Sequence, residues 1–195
     1  MDSLIYFVRH GETDWNAESR LQGQADTDLN DHGRAQASRN GRMLRELVAE
    51  PAALDYVASP MRRTVETMQR LRTGLGLPAD GFRTDKRLVE VNFGDWQGFT
   101  FAELEHDDPG CFARREEGKW AFVPPGEGAE SYEALTERIR PWFESVARDT
   151  VCVTHGGVIR AVFRLADALP PAECAALAIP QDRILRLQAG RLEWL

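Results

Sequence analysis

The chain has 195 residues, of which 43% are hydrophobic and 28% are charged, which is typical of one soluble globular domain. It carries 24 Lys and Arg residues against 31 Asp and Glu residues, for a net charge of −7. This acidic balance argues against nucleic acids or anionic membranes as partners, because both recruit an excess of basic side chains.

Short apolar runs rich in strand-forming residues alternate with longer segments whose apolar residues recur at helical spacing. In chain order, the predicted elements are a strand at Leu4–Val8, a helix at Gly33–Val48, a strand at Leu54–Ala58, a helix at Pro60–Leu75, a helix at Ser131–Ala147, a strand at Thr150–Thr154, a helix at Gly157–Ala168, and a hairpin of Arg183–Leu187 and Arg191–Leu195. Pro60 is expected at the first helical position, Ser131 as an N-cap, Pro141 as a kink, and Ala189–Gly190 as the hairpin turn.

Strands that alternate with helices predict an α/β fold, a three-layer αβα sandwich around a mostly parallel sheet. The final hairpin would add an antiparallel edge, and that edge offers a surface for pairing in a homodimer. We interpret residues 1–195 as a single domain. The Gly-, Pro- and aromatic-rich segment at about 78–128 is too long for a plain connection, so we interpret it as a cap beside the active site.

The cysteines and the N-terminus favour a cytoplasmic protein. Cys111, Cys152 and Cys174 show neither a disulfide framework nor metal-ligand spacing, and Cys152 is expected to be buried in a strand. The start of the chain has an acidic residue at position 2 and only five consecutive apolar residues, unlike a signal peptide. No apolar run approaches the ~18 residues that a membrane span needs.

Three predicted strands end in residues suited to phosphoryl chemistry. Arg9-His10-Gly11 follows the first, Ser59 to Arg63 follows the second, and His155-Gly156 follows the strand at Thr150–Thr154. Ligands of open α/β sheets bind at such carboxyl ends. Arginine matches phosphoryl oxygens, and a neutral imidazole is a nucleophile toward phosphorus. These side chains would supply the positive charge themselves, so we predict neither a metal nor a cofactor.

A phosphomonoester also needs an acid that protonates its basic leaving group. Glu90, in the segment from Leu88 to Gly98, is the best candidate. Glu12 is interpreted instead as a brace of its loop, and Arg62 as an exposed neighbour of Arg63 at the rim. The His-Gly-Gly around His155 does not indicate an esterase, because the chain has no G-x-S-x-G sequence.

Five ordered blocks resemble the histidine phosphatase superfamily, in its phosphoglycerate-mutase-like branch. The blocks are Phe7 to Asn16, Leu21 to Ala37, Ser59 to Thr67, Leu88 to Gly98 and Val153 to Arg160. The resemblance implies that His10 becomes phosphorylated, that Arg9, Arg63 and His155 bind the phosphoryl group, and that Glu90 acts as acid and then as base. It also implies that Asn16, Gln22, Gly23 and Gly156 line the pocket.

Within this family, the resemblance leaves three functions open. The first is a phosphatase that hydrolyses a small phosphorylated metabolite, as in small bacterial members such as α-ribazole phosphatase. The second is cofactor-dependent phosphoglycerate mutase activity, which the short chain disfavours because such mutases are generally longer. The third is a non-catalytic phosphate-binding protein, which the retention of every motif residue disfavours. Two interpretations of the aromatic residues Trp15, Trp96, Phe99 and Trp120 stay open. They pack in the core, or those of the cap contact an apolar part of the substrate.

Overall fold

A computed structural model describes residues 3–195, and Met1 and Asp2 lie outside the described residues. Its centre is a six-stranded sheet in the order β3-β2-β4-β1-β5-β6. The strands are β1 (Ile5–Arg9), β2 (Asp55–Ala58), β3 (Arg83–Thr84), β4 (Thr150–Thr154), β5 (Ile184–Gln188) and β6 (Arg191–Trp194). Strands β1 to β4 run parallel, whereas β5 and β6 pair antiparallel at one edge. The predicted fold class is confirmed, with an antiparallel hairpin forming the edge.

Eight α-helices accompany the sheet in the described part of the chain. They are α1 (Asp14–Ala17), α2 (Asp31–Leu47), α3 (Arg62–Gly74), α4 (Phe101–Asp107), α5 (Cys111–Glu117), α6 (Tyr132–Ser145), α7 (Gly156–Leu165) and α8 (Pro171–Ala176). The four long helices were predicted to within a few residues. The short helices α1, α4, α5 and α8 and the two-residue strand β3 were missed, because elements of this length carry too little periodicity to recognise.

Alternate residues of each strand face opposite layers, which produces two separate cores. Ile5 and Phe7 join the core formed with α6, α7 and α8. Tyr6 and Val8 instead join Leu44 and the other apolar side chains of α2 and α3. Both faces of β1 are therefore buried, which is why its sequence is a continuous apolar run rather than an alternating one.

The predicted helix boundaries were correct at Ser131 but wrong at Pro60. The Ser131 hydroxyl accepts the Ala134 N–H at 3.0 Å and caps α6, which continues through Pro141. Helix α3 begins at Arg62 and not at Pro60. The reason is that Met61, the N-cap residue, is still extended, and no side chain caps this end of the helix.

The hairpin turn was predicted correctly. Ala189 and Gly190 both have positive φ, at 48° and 76°, the pattern of the two-residue turns whose twist matches that of the flanking strands. The turn joins β5 to β6 and leaves one side of β6 without a neighbouring strand in the sheet.

The segment that was predicted to form a cap, residues 78–128, contributes β3 to the sheet and then leaves it, and we call it the cap segment. Residues Arg83–Thr84 form β3 and pair with β2, so only the part after Thr84 departs from the sheet. That part contains α4 and α5, which pack around a small cluster of Trp96, Leu104 and Cys111. The cap is thus held by apolar contacts of its own.

All three cysteines are buried in the fold. Cys152 is fully buried in β4, as predicted, and Cys111, Cys152 and Cys174 are all free thiols. Within residues 3–195, no helix combines the length and apolarity that crossing a membrane requires.

Candidate active site

The ends of three strands that precede candidate catalytic residues lie next to one another in the sheet, because β4 lies between β2 and β1. The His10 N–H donates to the Thr154 carbonyl at 2.9 Å, and the Ser59 N–H donates to the Val153 carbonyl at 3.0 Å. These bonds extend the parallel pairing one residue beyond β1 and β2. The segments that follow the strands therefore leave the sheet side by side.

Four side chains meet there, and we call Arg9, His10, Arg63 and His155 the strand-end cluster. The rings of His10 and His155 pack edge to face, with centroids 5.2 Å apart. His10, Arg63 and His155 are buried, and Arg9 is half-buried. Residues far apart in the chain thus form one compact group, as the sequence predicted.

His10 is fixed in the tautomer that leaves Nε2 free. Its Nδ1 lies 2.8 Å from the Gly11 carbonyl, and a carbonyl oxygen can only accept, so Nδ1 carries the proton. Burial lowers the pKa of His10 well below 6.5, and the charges of Arg63 and Arg9 lower it further. The ring is therefore neutral at physiological pH, with the Nε2 lone pair available.

The two arginines of the cluster are held by backbone carbonyls. Arg9 Nη1 donates to the Ile179 carbonyl at 2.7 Å, and Arg63 donates to the carbonyls of Ala25 and Gly23 at 2.7 Å each. Burial is the main cause that lowers the pKa of Arg9 and of Arg63, each to about 10. Both guanidinium groups stay charged at neutral pH, and no carboxylate forms an ion pair with either among the described residues.

Unsatisfied donors in the cluster indicate a site for an anion. The Nε–H donors of Arg9 and Arg63 are buried without a hydrogen-bond partner in residues 3–195, and the ring nitrogen Nδ1 of His155 also has no partner there. A buried polar group left without a partner costs about 1–3 kcal/mol, and more when it is charged. An anion with several acceptor oxygens would satisfy such donors, and a phosphoryl group has this chemistry.

Ser59 is a partner of His155 that the sequence analysis did not assign. Its buried hydroxyl lies 2.8 Å from His155 Nε2. Ser59 directly follows β2, which pairs with β4, so its hydroxyl lies next to the His155 ring. The block from Ser59 to Thr67 was noted for its arginines, but only the folded chain shows that its first residue contacts a histidine.

Glu90 lies at the N-terminus of α7. One carboxylate oxygen accepts the Gly157 N–H at 3.1 Å and the other accepts the Val91 N–H at 2.9 Å. A Cβ added at Gly157 would lie 2.2 Å from Glu90 Oε1, so only glycine leaves room for this carboxylate. The Thr154 hydroxyl donates to the Leu88 carbonyl at 2.9 Å and ties the Glu90 loop to β4.

Arg138 is a second positioning contact that the sequence analysis missed. Its guanidinium donates to the carbonyls of Arg87, Val89 and Glu90 and pairs with Glu130 at 2.7 Å. One side chain of α6 thus binds three backbone carbonyls of the loop that carries Glu90. No local pattern marks this role, because the contacts span about fifty residues.

The cluster opens into a cavity of about 300 Å³. The predicted residues Arg9, His10, Arg63, Glu90, Asn16, Gln22, Gly23 and Gly156 all line it. His155 lies one layer deeper, against the His10 ring. The prediction for Glu12 as a brace agrees with its contacts, since it accepts a hydrogen bond from Asn30 Nδ2 at 2.9 Å. Arg62 is exposed and pairs with Asp28.

The cavity has a second set of walls that the sequence analysis did not identify. These residues are Arg20, Leu21, Phe93, Phe101, Phe112, Arg115, Lys119, Tyr132 and Arg160. Trp15, Trp96, Phe99 and Trp120, the aromatic residues considered earlier, are not among the lining residues of the described chain. Trp96 packs in the cap cluster, and Trp120 stacks on Tyr132. Helical spacing could have indicated Arg160, since it lies four residues after Gly156 on one helix face.

The cavity shows no donor set for a resident metal. Within the described part of the chain, His, Cys, Asp and Glu side chains form no group of three or more that could hold a metal ion.

Known proteins resemble this chain over almost its whole length. A glucosyl-3-phosphoglycerate phosphatase of Mycobacterium tuberculosis is 38% identical over 189 residues, covering 89% of this chain and 79% of that protein. A 2,3-bisphosphoglycerate-dependent phosphoglycerate mutase of Azorhizobium caulinodans is 32% identical over 186 residues, covering 88% and 84%. A solved structure of a mycobacterial glucosyl-3-phosphoglycerate phosphatase in complex with VO3 superposes with a TM-score of 0.81 at 31% identity, covering 99% of this chain and 96% of that one. The family model of the histidine phosphatase superfamily, branch 1, matches residues 5–194, and the chain belongs to that superfamily.

Proposed function

We propose that this protein is a metal-independent phosphatase that hydrolyses a small phosphorylated metabolite through a phosphohistidine at His10. The observation that carries the proposal is the state of the His10 ring. It is neutral, its Nδ1 proton is donated to the Gly11 carbonyl, and its Nε2 faces a cavity that Arg9, Arg63 and Glu90 also line. A nucleophile, a cationic cradle and an acid are the three components that the reaction needs.

In the first half-reaction, His10 Nε2 attacks phosphorus in line with the ester oxygen. A P–N bond forms, the P–O ester bond breaks, and its electron pair goes to the leaving alkoxide. Arg9 and Arg63 bind the nonbridging oxygens, where negative charge is spread in the transition state. Since neutral carbonyls hold both guanidinium groups, neither arginine has to give up an ion pair to bind the substrate.

Glu90 supplies the proton that the alkoxide takes up as the ester bond breaks. The Gly157 and Val91 N–H groups orient its carboxylate, and Arg138 fixes the loop behind it. In the second half-reaction, the ionised Glu90 accepts a proton from water as the water attacks phosphorus. The P–N bond then breaks, inorganic phosphate leaves, and His10 returns to its neutral form.

There are two candidates for the substrate, one from the relatives and one from the sequence resemblance. The phosphatase relatives named above act on glucosyl-3-phosphoglycerate, which makes that compound the first to test. α-Ribazole phosphate, the substrate type that the sequence resemblance suggested, is the second.

The free, buried cysteines are compatible with a reducing cytoplasm, where we place the reaction.

A mutase is the alternative, and the relative from Azorhizobium caulinodans favours it. The phosphatase relative is more similar, at 38% against 32% identity. The two functions differ in what happens to the phosphohistidine: water takes the phosphoryl group in a phosphatase, whereas a mutase returns it to a hydroxyl. Conversion of 3- into 2-phosphoglycerate, primed by the bisphosphate, would identify the mutase.

The test is hydrolysis of p-nitrophenyl phosphate in excess EDTA. We expect the wild type to retain activity, His10→Ala to lose more than about 10⁴-fold in kcat, and His32→Ala, a change at an exposed histidine of α2, to behave as the wild type. Quenching with alkaline SDS during turnover of a ³²P-labelled substrate should trap a phosphoryl adduct that is stable in alkali, labile in acid and absent from His10→Ala. An active wild type without this adduct would exclude the phosphohistidine route.

A further inference from the structure

The cavity carries more positive charge than one phosphoryl group requires. Besides Arg9 and Arg63, four cationic side chains line it, namely Arg20, Arg115, Lys119 and Arg160. Glu90 is the one carboxylate among the lining residues of the described chain. The protein as a whole has a net charge of −7, so this concentration of cations runs against its general composition.

Three of the four additional cations have carboxylate partners. Arg20 pairs with Glu18 and Glu103 at 2.7 Å each. Arg115 and Lys119 both pair with Glu116. One carboxylate therefore serves two cations, and this part of the cavity keeps an excess of positive charge.

Arg160 is the exception, since it forms no ion pair within residues 3–195. Its Nε donates to the Leu177 carbonyl at 3.0 Å, and its guanidinium lies 5.8 Å from the centre of the Tyr132 ring. These contacts fix the direction of the side chain without neutralising it. Arg9 and Arg63 are held by carbonyls in the same way, and they too keep their charge for a ligand.

The positive charges of Arg115 and Arg160 repel that of Lys119. Burial lowers the pKa of the Lys119 ammonium, and the positive charges of Arg115 and Arg160 lower it further, against the effect of Glu116. Like charges collected at one end of a cavity destabilise each other unless an anion lies between them. A bound anionic group would relieve that repulsion.

Geometry relates Arg160 to the strand-end cluster. A Cβ built at Gly156 would lie 3.4 Å from Arg160 Nη1 and 3.6 Å from Arg9 Nε. Two guanidinium groups thus flank the first residue of α7, one from the strand-end cluster and one from the next turn of the helix. A small substrate can reach both of them at once.

We propose that Arg160 and Lys119 form a subsite for a second anionic group of the substrate, a carboxylate or a phosphate. The physiological substrate is then a phosphomonoester with two anionic groups. This inference rests on the proposed function, because it takes the strand-end cluster as the site of the reacting phosphoryl group. It also favours glucosyl-3-phosphoglycerate, which has a carboxylate, over α-ribazole phosphate, whose only anionic group is the phosphate that would react.

Matched esters test the subsite. 3-Phosphoglycerate has a carboxylate where sn-glycerol 3-phosphate has a hydroxymethyl group. Glycerol 1,3-bisphosphate has a second phosphate at that position. We expect the wild type to release phosphate from one of the doubly anionic esters with a kcat/KM at least about tenfold above that for glycerol phosphate, as one charge-assisted hydrogen bond allows. The preferred ester identifies whether the subsite takes a carboxylate or a phosphate.

Variants then assign the preference to residues. Arg160→Gln and Lys119→Met should each raise KM for the preferred ester about tenfold and leave kcat/KM for glycerol phosphate within about twofold of the wild type. Arg160→Lys should restore part of the preference, because it keeps a charge without the planar fork. Arg164→Gln is the matched control, since Arg164 lies one turn further along α7 and pairs with Asp167 at the surface.

Equal losses on all esters in Arg160→Gln would overturn the subsite, because Arg160 would then serve the reacting phosphoryl group. A wild type without preference for either doubly anionic ester would overturn it too. Calorimetric binding of the same esters to His10→Ala separates the two proposals. Preferential binding of a doubly anionic ester without any turnover by the wild type supports the subsite and rejects the phosphatase, whereas turnover without preferential binding does the reverse.

Discussion

The strand-end cluster and the cap segment use arginine in opposite ways. In the cluster, Arg63 is buried and Arg9 is half-buried, and carbonyl oxygens hold both of them. In the cap, Arg87 and Arg114 are more exposed and pair with Asp85 and Asp108. A carbonyl orients a guanidinium without cancelling its charge, whereas a carboxylate neutralises it. An arginine held by carbonyls therefore keeps its charge for a ligand, whereas an arginine paired with a carboxylate does not.

Adjacent residues at the start of α3 give the largest expected contrast. Arg63→Met removes a buried cation that carbonyls hold, and we expect kcat/KM for p-nitrophenyl phosphate to fall about 10³-fold, as for loss of a charged transition-state donor. Arg62→Met removes an exposed cation already paired with Asp28, and its kcat/KM should stay within about twofold. Similar losses in both variants would break the distinction between the two kinds of arginine.

The acid role of Glu90 should depend on the leaving group. Glu90→Gln removes the transferable proton, so kcat for glycerol phosphate, which releases a basic alkoxide, should fall about 10²- to 10³-fold. For p-nitrophenyl phosphate the fall should be about tenfold, because nitrophenolate needs little protonation. Steady-state assays with both esters measure the difference, and an equal fall for the two would contradict general acid catalysis by this residue.

The fit of Glu90 against α7 predicts a smaller loss from a single methyl group. In Gly157→Ala the new Cβ would lie 2.2 Å from Glu90 Oε1, so the carboxylate has to move, and kcat for glycerol phosphate should fall about 10- to 100-fold. Gly118→Ala is the control, because a Cβ there meets nothing within 4 Å and its φ is −145°. If both variants keep wild-type kcat, the position of Glu90 does not limit the reaction.

The protonation of His10 can be followed without turnover. Because its pKa in the folded protein is lowered well below 6.5, the ring should remain neutral as the pH falls from 7 through 6.5 and take up a proton only in more acidic solution. NMR of ¹⁵N-labelled histidine rings in the ligand-free protein measures the midpoint, with His10→Ala to assign the signal. A midpoint at or above 6.5 would show that burial and the two arginines do not control this ring.

The smallest effect is expected at Arg20, a cavity-lining cation whose charge carboxylates already neutralise. Arg20→Gln removes its pairs with Glu18 and Glu103, which link α4 to the loop after α1. We expect a slightly lower Tm and a kcat/KM for p-nitrophenyl phosphate within about threefold of the wild type, as is usual for exposed ion pairs. Thermal melts and the same assay measure both quantities. A loss as large as that of Arg63→Met would mean that an arginine paired with carboxylates still stabilises the bound substrate.

Some of the site could be predicted because it is local in the chain. His10 and His155 directly follow strands, and glycine follows each of them, so the pattern of a strand end, a functional side chain and a glycine was visible. The N-cap at Ser131 and the turn at Ala189 were predicted for the same reason, since a few adjacent residues determine each.

Other parts of the site could not be predicted, because distant segments supply the contacts. The carbonyl that holds Arg9 belongs to Ile179, 170 residues away. Ser59 meets His155 across 96 residues, and Arg138 reaches the Glu90 loop across about fifty. Nothing in the sequence around a charged residue states whether its partner will be a carbonyl or a carboxylate.

The sequence by itself determined the layers of the fold and the chemistry at the strand ends, because apolar periodicity and strand termini are encoded over a few neighbouring residues. The tertiary structure alone decided which cations remain unneutralised, which wall of the cavity is aromatic and how the acid is held. These properties depend on side chains that meet only when the sheet brings β2, β4 and β1 together and α5, α6 and α7 close around their ends.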